Sequence, residues 1–83
     1  MTKRQISAGD VWLVGCRDEP DRTWKYQIVA VIEDRGELYV VGAKRQPTGE
    51  LWLMTFNSQF EEVTGMGFYL ERKSRAKPFL DGS

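Results

Sequence analysis

Five apolar segments follow one another along this chain, and polar or turn-forming residues separate them. Each segment is about 6–10 residues long, and no helical segment lies between them, which is the spacing of a small antiparallel meander. Glycine and proline punctuate the segments, most clearly at Gly36 and at Pro47-Thr48-Gly49, where tight hairpin turns are expected. The pattern therefore predicts an all-β fold.

The segments predict strands at residues 11–16, 24–33, 37–44, 50–56 and about 66–73. A polar loop is expected at residues 17–23, because Pro20 breaks regular structure. On the second strand strict alternation places five apolar side chains on one face: Trp24, Tyr26, Ile28, Ala30 and Ile32. The second half of this strand is apolar on both faces, so we expect it to be covered on both sides or to bend between two half-sheets.

One short helical turn is predicted before the last strand, because Asn57 or Ser58 can cap it and Ser58 and Glu61 have the spacing of a capping box. With this turn, residues 9–73 resemble the Src-homology-3-like barrels in the order of their parts. The resemblance implies a small, five-stranded, strongly bent antiparallel barrel and carries no functional motif. An oligonucleotide-binding barrel is the second choice. It is disfavoured because that fold normally has a longer helix between its third and fourth strands.

The 83 residues are enough for one domain, predicted to span residues 1–83. The barrel is expected at about residues 9–73, after a polar lead-in at 1–8 and before a basic tail at 74–83. Twelve basic and twelve acidic side chains give zero formal net charge, which argues against general attraction to polyanions or membrane surfaces.

The chain contains no histidine and a single cysteine, Cys16. Histidine-based triads, Cys-His pairs and zinc sites built from imidazole are therefore excluded, and no catalytic residue, cofactor or metal is expected. Cys16 is interpreted as a small apolar filler, since it is the last residue of the first predicted strand and no obvious base accompanies it. A chain without an intramolecular disulfide and without a signal-like segment is expected to be soluble and cytoplasmic.

The aromatic residues give the main positive signal. If the aliphatic residues of each strand point inward, Trp12, Tyr39 and Trp52 point outward as a surface stripe, with Lys44 and Arg45 at its rim. Exposed aromatic residues are typical of binding surfaces. The sequence thus predicts a non-catalytic protein–protein interaction or accessory module of bacterial or mobile-element type, or self-association. The opposite phase, with the tryptophans in the core, stays open.

A second hypothesis is a barrel that binds single-stranded RNA or DNA. The same aromatic residues would stack on bases, and Arg72, Lys73 and Arg75 would contact phosphates. The neutral overall charge is unfavourable for strong binding to a polyanion.

A third hypothesis comes from the segment Gly9-Asp10-Val11-Trp12-Leu13-Val14, which resembles the opening strand of MazF-type toxins. The resemblance implies a barrel-shaped ribonuclease. Those toxins continue with a glycine- and arginine-rich loop and an arginine-proline pair before the next strand. Here Trp24-Lys25-Tyr26 opens that strand, so no catalytic residue is transferred to this chain.

Overall fold

The computed structural model describes residues 6–80, which form one antiparallel sheet of five strands. The strands are β1 (Val11–Cys16), β2 (Glu19–Asp34), β3 (Glu37–Arg45), β4 (Leu51–Phe56) and β5 (Phe68–Lys73). Their order across the sheet is β4-β3-β2-β1-β5, so the last strand pairs with the first. The all-β prediction and the five strands are confirmed. Residues 6–80 contain no helix that could cross a lipid bilayer.

The polar loop predicted at residues 17–23 is shorter than expected, because β2 already begins at Glu19. Pro20 does not prevent this extension. In the pairing of β1 with β2, Cys16 lies opposite Glu19 and Gly15 lies opposite Thr23, so the residues between 19 and 23 have no partner in β1. A proline costs no ladder hydrogen bond at a position where its nitrogen has nothing to pair with.

Strict alternation along β2 fails at a β-bulge. Ile28 lies opposite Gly42, but the next pair joins Ala30 to Val41, which leaves Val29 as the extra residue. Beyond the bulge the faces are exchanged, so Ala30 does not continue the face of Ile28 as the sequence predicted. The last residues of β2, from Val31 to Asp34, are also exposed. The expectation that this half of the strand is covered on both sides is therefore wrong.

The core lies on one face of the sheet. Its buried side chains come from all five strands and the segment before β5: Trp12, Val14, Tyr26, Ile28, Val40, Phe56, Phe60 and Leu70. Glycine allows one of the close approaches in this core, since a Cβ on Gly42 would come within 3.3 Å of the Tyr26 Cβ. On the opposite face the Tyr69 ring covers Gly15 so closely that a Cβ there would lie 2.7 Å from the ring.

The helical turn predicted before β5 is not formed. Asn57 does act as a cap, because its Oδ1 accepts hydrogen bonds from the backbone N–H groups of Gln59 and Glu61. Phe60 then takes a positive φ of 63°, which a right-handed helix does not allow. The next two residues each form an isolated β-bridge: Glu61 pairs with Tyr69, and Glu62 pairs with Phe56.

The sheet is not closed between β4 and β5. The two bridges of residues 61 and 62 lie between these strands, and Val63 N–H donates to Thr55 O at 3.0 Å. These contacts cover one end of each outer strand. The remainder of β4, from Leu51 to Met54, has no further strand beside it among residues 6–80.

Both ends of the described chain belong to the packed fold. Ile6 packs against the core cluster, whereas residues 1–5 of the predicted lead-in lie outside the described part. In the C-terminal segment, residues 74–80, Ser74 N–H donates to Val11 O, and the buried Gln27 accepts two N–H groups from Phe79 and Leu80. This segment, predicted as a free basic tail, is therefore hydrogen-bonded to β1 and β2; residues 81–83 lie outside the described part.

Candidate binding surface on strand β4

Trp12 does not belong to an exposed stripe. Its side chain is only 3% exposed, and its indole meets the Phe60 ring edge-on with centroids 5.6 Å apart. In the register of β1 it lies opposite Tyr26, another core residue. The prediction that Trp12 faces outward is wrong, because the segment around Phe60 folds back over this end of β1 and buries it.

Tyr39 and Trp52 lie on opposite faces of the sheet. Leu38 and Val40 contribute to the core, so alternation puts Tyr39 on the other face of the sheet. There Tyr39 is half-buried, and its cross-strand partner on β2 is Ile32. Trp52 is two residues from Met54, which packs on the core, and therefore has the same facing as the core. The three aromatic residues do not form one surface.

The two basic residues predicted at the rim do lie beside β4. Lys44 is the cross-strand partner of Trp52, and Arg45 is the partner of Leu51. Arg45 also donates from Nη1 to Gly49 O at 2.8 Å, which holds its side chain against the turn that joins β3 to β4.

Three consecutive residues of β4 have large apolar side chains that are exposed. Leu51 is 47% exposed, Trp52 56% and Leu53 66%. We call these three residues the β4 patch. Leu51 and Leu53 were predicted as inward-facing, so sequence reasoning missed them as surface residues. One feature of the sequence could have predicted their exposure: both residues lie close to the hairpin turn, where a strand can lack a neighbour.

The β4 patch continues into an apolar groove on the face of the sheet opposite the core. The groove measures about 700 Å³, and its walls come from β2, β3, β4, the turn before β1 and the C-terminal segment. Its apolar and polar walls include Gln27, Val29, Ala43, Leu51, Leu53 and Leu80. The patch thus offers side chains on both faces of one strand and a concave surface beside it.

The basic residues proposed for phosphate contacts lie elsewhere. Arg72 and Lys73 are on β5, which is at the opposite edge of the sheet from β4. Lys73 Nζ lies 3.5 Å from Asp10 Oδ1, and Lys73 and Arg75 line a separate groove along β1. The structure brings only Lys73 and Arg75 to one groove, on the other side of the strand order from Trp52.

Reactive groups are sparse in the described part. Cys16 is buried as a free thiol, and residues 6–80 hold no group of three potential metal-ligating side chains. Arg17 Nη2 lies 2.5 Å from Glu61 Oε2 in a solvent-exposed ion pair. Burial raises the pKa of the Tyr26 phenol above its ordinary value of 10.0, in keeping with a core position.

No family model, no curated protein and no solved structure matches this chain.

Proposed function

We propose that this protein is a small non-catalytic binding module that recognises a protein partner through the β4 patch. The observation that carries the proposal is the exposure of Leu51, Trp52 and Leu53 in succession on the open edge of the sheet. Soluble domains rarely leave such an edge both apolar and unpaired, because it invites association with other chains.

The chemistry of the β4 patch suits an extended peptide segment. A peptide can add to a sheet edge through its backbone, while its alternate side chains enter pockets on either face. Here Trp52 offers a large aromatic surface on one face, and Leu53 borders the apolar groove on the other. Lys44 and Arg45 place positive charge beside the patch, which favours a partner segment that carries carboxylates near its apolar residues.

We also propose that the sheet is a strongly bent, Src-homology-3-like arrangement. The pairing of the last strand with the first supports this proposal. Further support comes from residues 61 and 62, which bridge towards both outer strands at Tyr69 and Phe56. A location in the cytoplasm remains part of the same proposal, based on the single cysteine of the chain.

The nucleic-acid hypothesis has less support. A base-stacking platform needs its aromatic residues on one surface beside the basic groups. Trp12 is buried, Tyr39 and Trp52 face opposite ways, and Arg72 and Lys73 lie at the far edge of the sheet. The ribonuclease hypothesis rests on residues 9–14, of which Val11, Trp12 and Val14 are buried.

The test of the proposed function uses NMR titration of the full chain with peptides selected from a displayed random library. We expect selected peptides to shift backbone resonances of β4 and of the facing half of β3. Trp52→Ala should weaken binding at least tenfold, whereas Ile32→Ser should leave it unchanged. Ile32 is a suitable control because it is 49% exposed, close to the value of Trp52, and lies on β2.

A parallel titration with short single strands of RNA and DNA at two salt concentrations tests the nucleic-acid hypothesis. Tryptophan quenching with a steep salt dependence, together with shifts at β5, would favour nucleic-acid binding. Peptide binding that persists fully in Trp52→Ala would contradict the proposed site.

A further inference from the structure

The open edge of β4 exposes backbone hydrogen-bonding groups at alternate residues. Gln46 N–H donates to Glu50 O, so residues 46 and 50 form a hydrogen-bonded pair of the β3–β4 ladder. Alternation then makes Trp52 and Met54 the next residues that bond to β3. The N–H and C=O groups of Leu51 and Leu53 therefore point away from β3, towards the open side.

The far end of this edge is already occupied. Thr55 also points its carbonyl away from β3, and this oxygen accepts the Val63 N–H at 3.0 Å. The bridge between Phe56 and Glu62 extends the cover by one residue. An added strand can thus pair with β4 only over residues 51–54, next to the hairpin turn.

We propose that this window pairs with the same window of a second copy of the chain, in antiparallel orientation. This inference rests on the proposed function and names its partner. Two identical strands related by a twofold axis can pair so that Leu51 lies opposite Leu53 of the second copy and Trp52 lies opposite Trp52 of the second copy. Both edge residues then exchange their N–H and C=O groups, which gives four backbone hydrogen bonds.

This register is the one that the edge allows with the greatest overlap. A twofold axis at Leu53 would place Thr55 opposite Leu51 of the second copy and would require the Thr55–Val63 hydrogen bond to break. An axis at Leu51 would leave Leu53 opposite the turn residue Gly49, and Glu50 opposite Trp52. An axis at Trp52 avoids both conflicts.

The side chains are compatible with this arrangement. The two Trp52 side chains meet on one face at a non-hydrogen-bonded pair, where cross-strand side chains are closest. Each Leu51 meets a Leu53 on the other face, beside the apolar groove. Glu50 lies opposite Met54, so no two like charges face each other across the new pair.

The area of the contact indicates a weak, reversible dimer. The exposed fractions of Leu51, Trp52 and Leu53 correspond to roughly 350 Å² of side-chain surface per copy, against about 800 Å² for each partner of a standard interface. A weak homodimer leaves the edge available to a competing peptide segment. Self-pairing would then both protect the apolar edge and set a threshold for other partners.

Sedimentation equilibrium of the full chain, from micromolar to near-millimolar concentration, tests the proposal. We expect a reversible monomer–dimer equilibrium, and we expect Leu53→Pro to shift the midpoint by at least tenfold. Proline removes the edge N–H at this position and no hydrogen bond to β3, because the Leu53 backbone does not bond to β3. Ile32→Ser is the matched control and should dimerise like the unchanged protein.

Cysteine crosslinking tests the register even if Leu53→Pro fails to fold. Under mild oxidation Trp52→Cys should form a covalent dimer on its own, and a mixture of Leu51→Cys and Leu53→Cys should form the mixed dimer. Leu51→Cys alone should crosslink several-fold more slowly. The buried Cys16 supplies no competing exposed thiol.

A chain that remains monomeric throughout the concentration range, with no crosslinking at Trp52→Cys, would overturn the inference. Peptide binding at the β4 patch in the NMR titration would then still support the proposed function. A dimer that survives Leu53→Pro and crosslinks outside the predicted register would also overturn the inference, since another surface would be responsible.

Discussion

Replacing Trp12 with alanine should destabilise the protein far more than the same change at Trp52. Trp12 is 3% exposed and packs edge-on against Phe60 with an interplanar angle of 81°. Truncating a fully buried aromatic side chain to alanine typically costs about 3–5 kcal/mol, part of which is the lost ring–ring contact. Trp52 is 56% exposed, so its replacement should cost no more than about 1 kcal/mol.

A second variant separates the packing of Trp12 from its polar group. The buried indole N–H of Trp12 has no hydrogen-bond partner among residues 6–80. An unsatisfied buried donor costs about 1–3 kcal/mol, and Trp12→Phe removes it while keeping an aromatic ring against Phe60. We therefore expect Trp12→Phe to lose only about 1–2 kcal/mol, because the smaller ring leaves a cavity but no unpaired donor.

Urea unfolding followed by circular dichroism measures all three variants, since this signal does not depend on tryptophan fluorescence. The unfolding free energy should be highest for Trp52→Ala, lower for Trp12→Phe and lowest for Trp12→Ala. A Trp12→Ala protein that is already unfolded in buffer agrees with this order, because small domains have only about 5–15 kcal/mol of stability. Equal losses at Trp12 and Trp52 would refute the assignment of Trp12 to the core and of Trp52 to the surface.

Three further predictions concern the fold around the core. Gly15→Ala should destabilise the protein by about 1–3 kcal/mol, because the new Cβ would lie 2.7 Å from the Tyr69 ring, and the loss should shrink in a Tyr69→Ala background when measured by a double-mutant cycle. Gln27→Ala should raise the hydrogen-exchange rates of the Phe79 and Leu80 amides, which donate hydrogen bonds to Gln27 Oε1, and should lower the free energy of unfolding by about 1–3 kcal/mol. Unchanged exchange rates would show that the C-terminal segment is held by other contacts. Because burial raises the pKa of Tyr26 in the folded state, its contribution is complete below pH 10.0, the unfolded value, and is lost as pH rises through the higher folded pKa; Tyr26→Phe should flatten this alkaline loss in urea titrations, and an unchanged slope would assign it to other groups.

The parts of the fold that follow from local pattern could be predicted from the sequence. The bounds of β1 were predicted correctly, and the two hairpins at Gly36 and Pro47–Gly49 join strands as expected. Turn residues and alternation specify these features within a few residues of each other. The bulge at Val29 has no comparable signal, since a β-branched residue in an apolar run is typical of a regular strand.

The facing of the aromatic residues could not be predicted from alternation. Both phases of β1 and β4 are apolar, so the pattern does not say which one is covered. The answer depends on Phe60, which is distant in the sequence and buries Trp12, and which no local pattern connects to β1. The same limit applied to the β4 patch, where the predicted core residues Leu51 and Leu53 are exposed.

The exposure of the β4 patch has a geometrical cause in the ladder of strands. The pairing of β2 with β3 ends at Gln27 and Ala43, whereas β3 and β4 continue to pair up to Arg45 and Leu51. Leu51 and Trp52 therefore lie beyond the last β2–β3 pair, whereas Leu53 lies level with it, opposite Ala43. A polar tip would fold equally well and would be less prone to association. Apolar residues on this unpaired edge are thus better explained by contact with another chain than by the stability of this one.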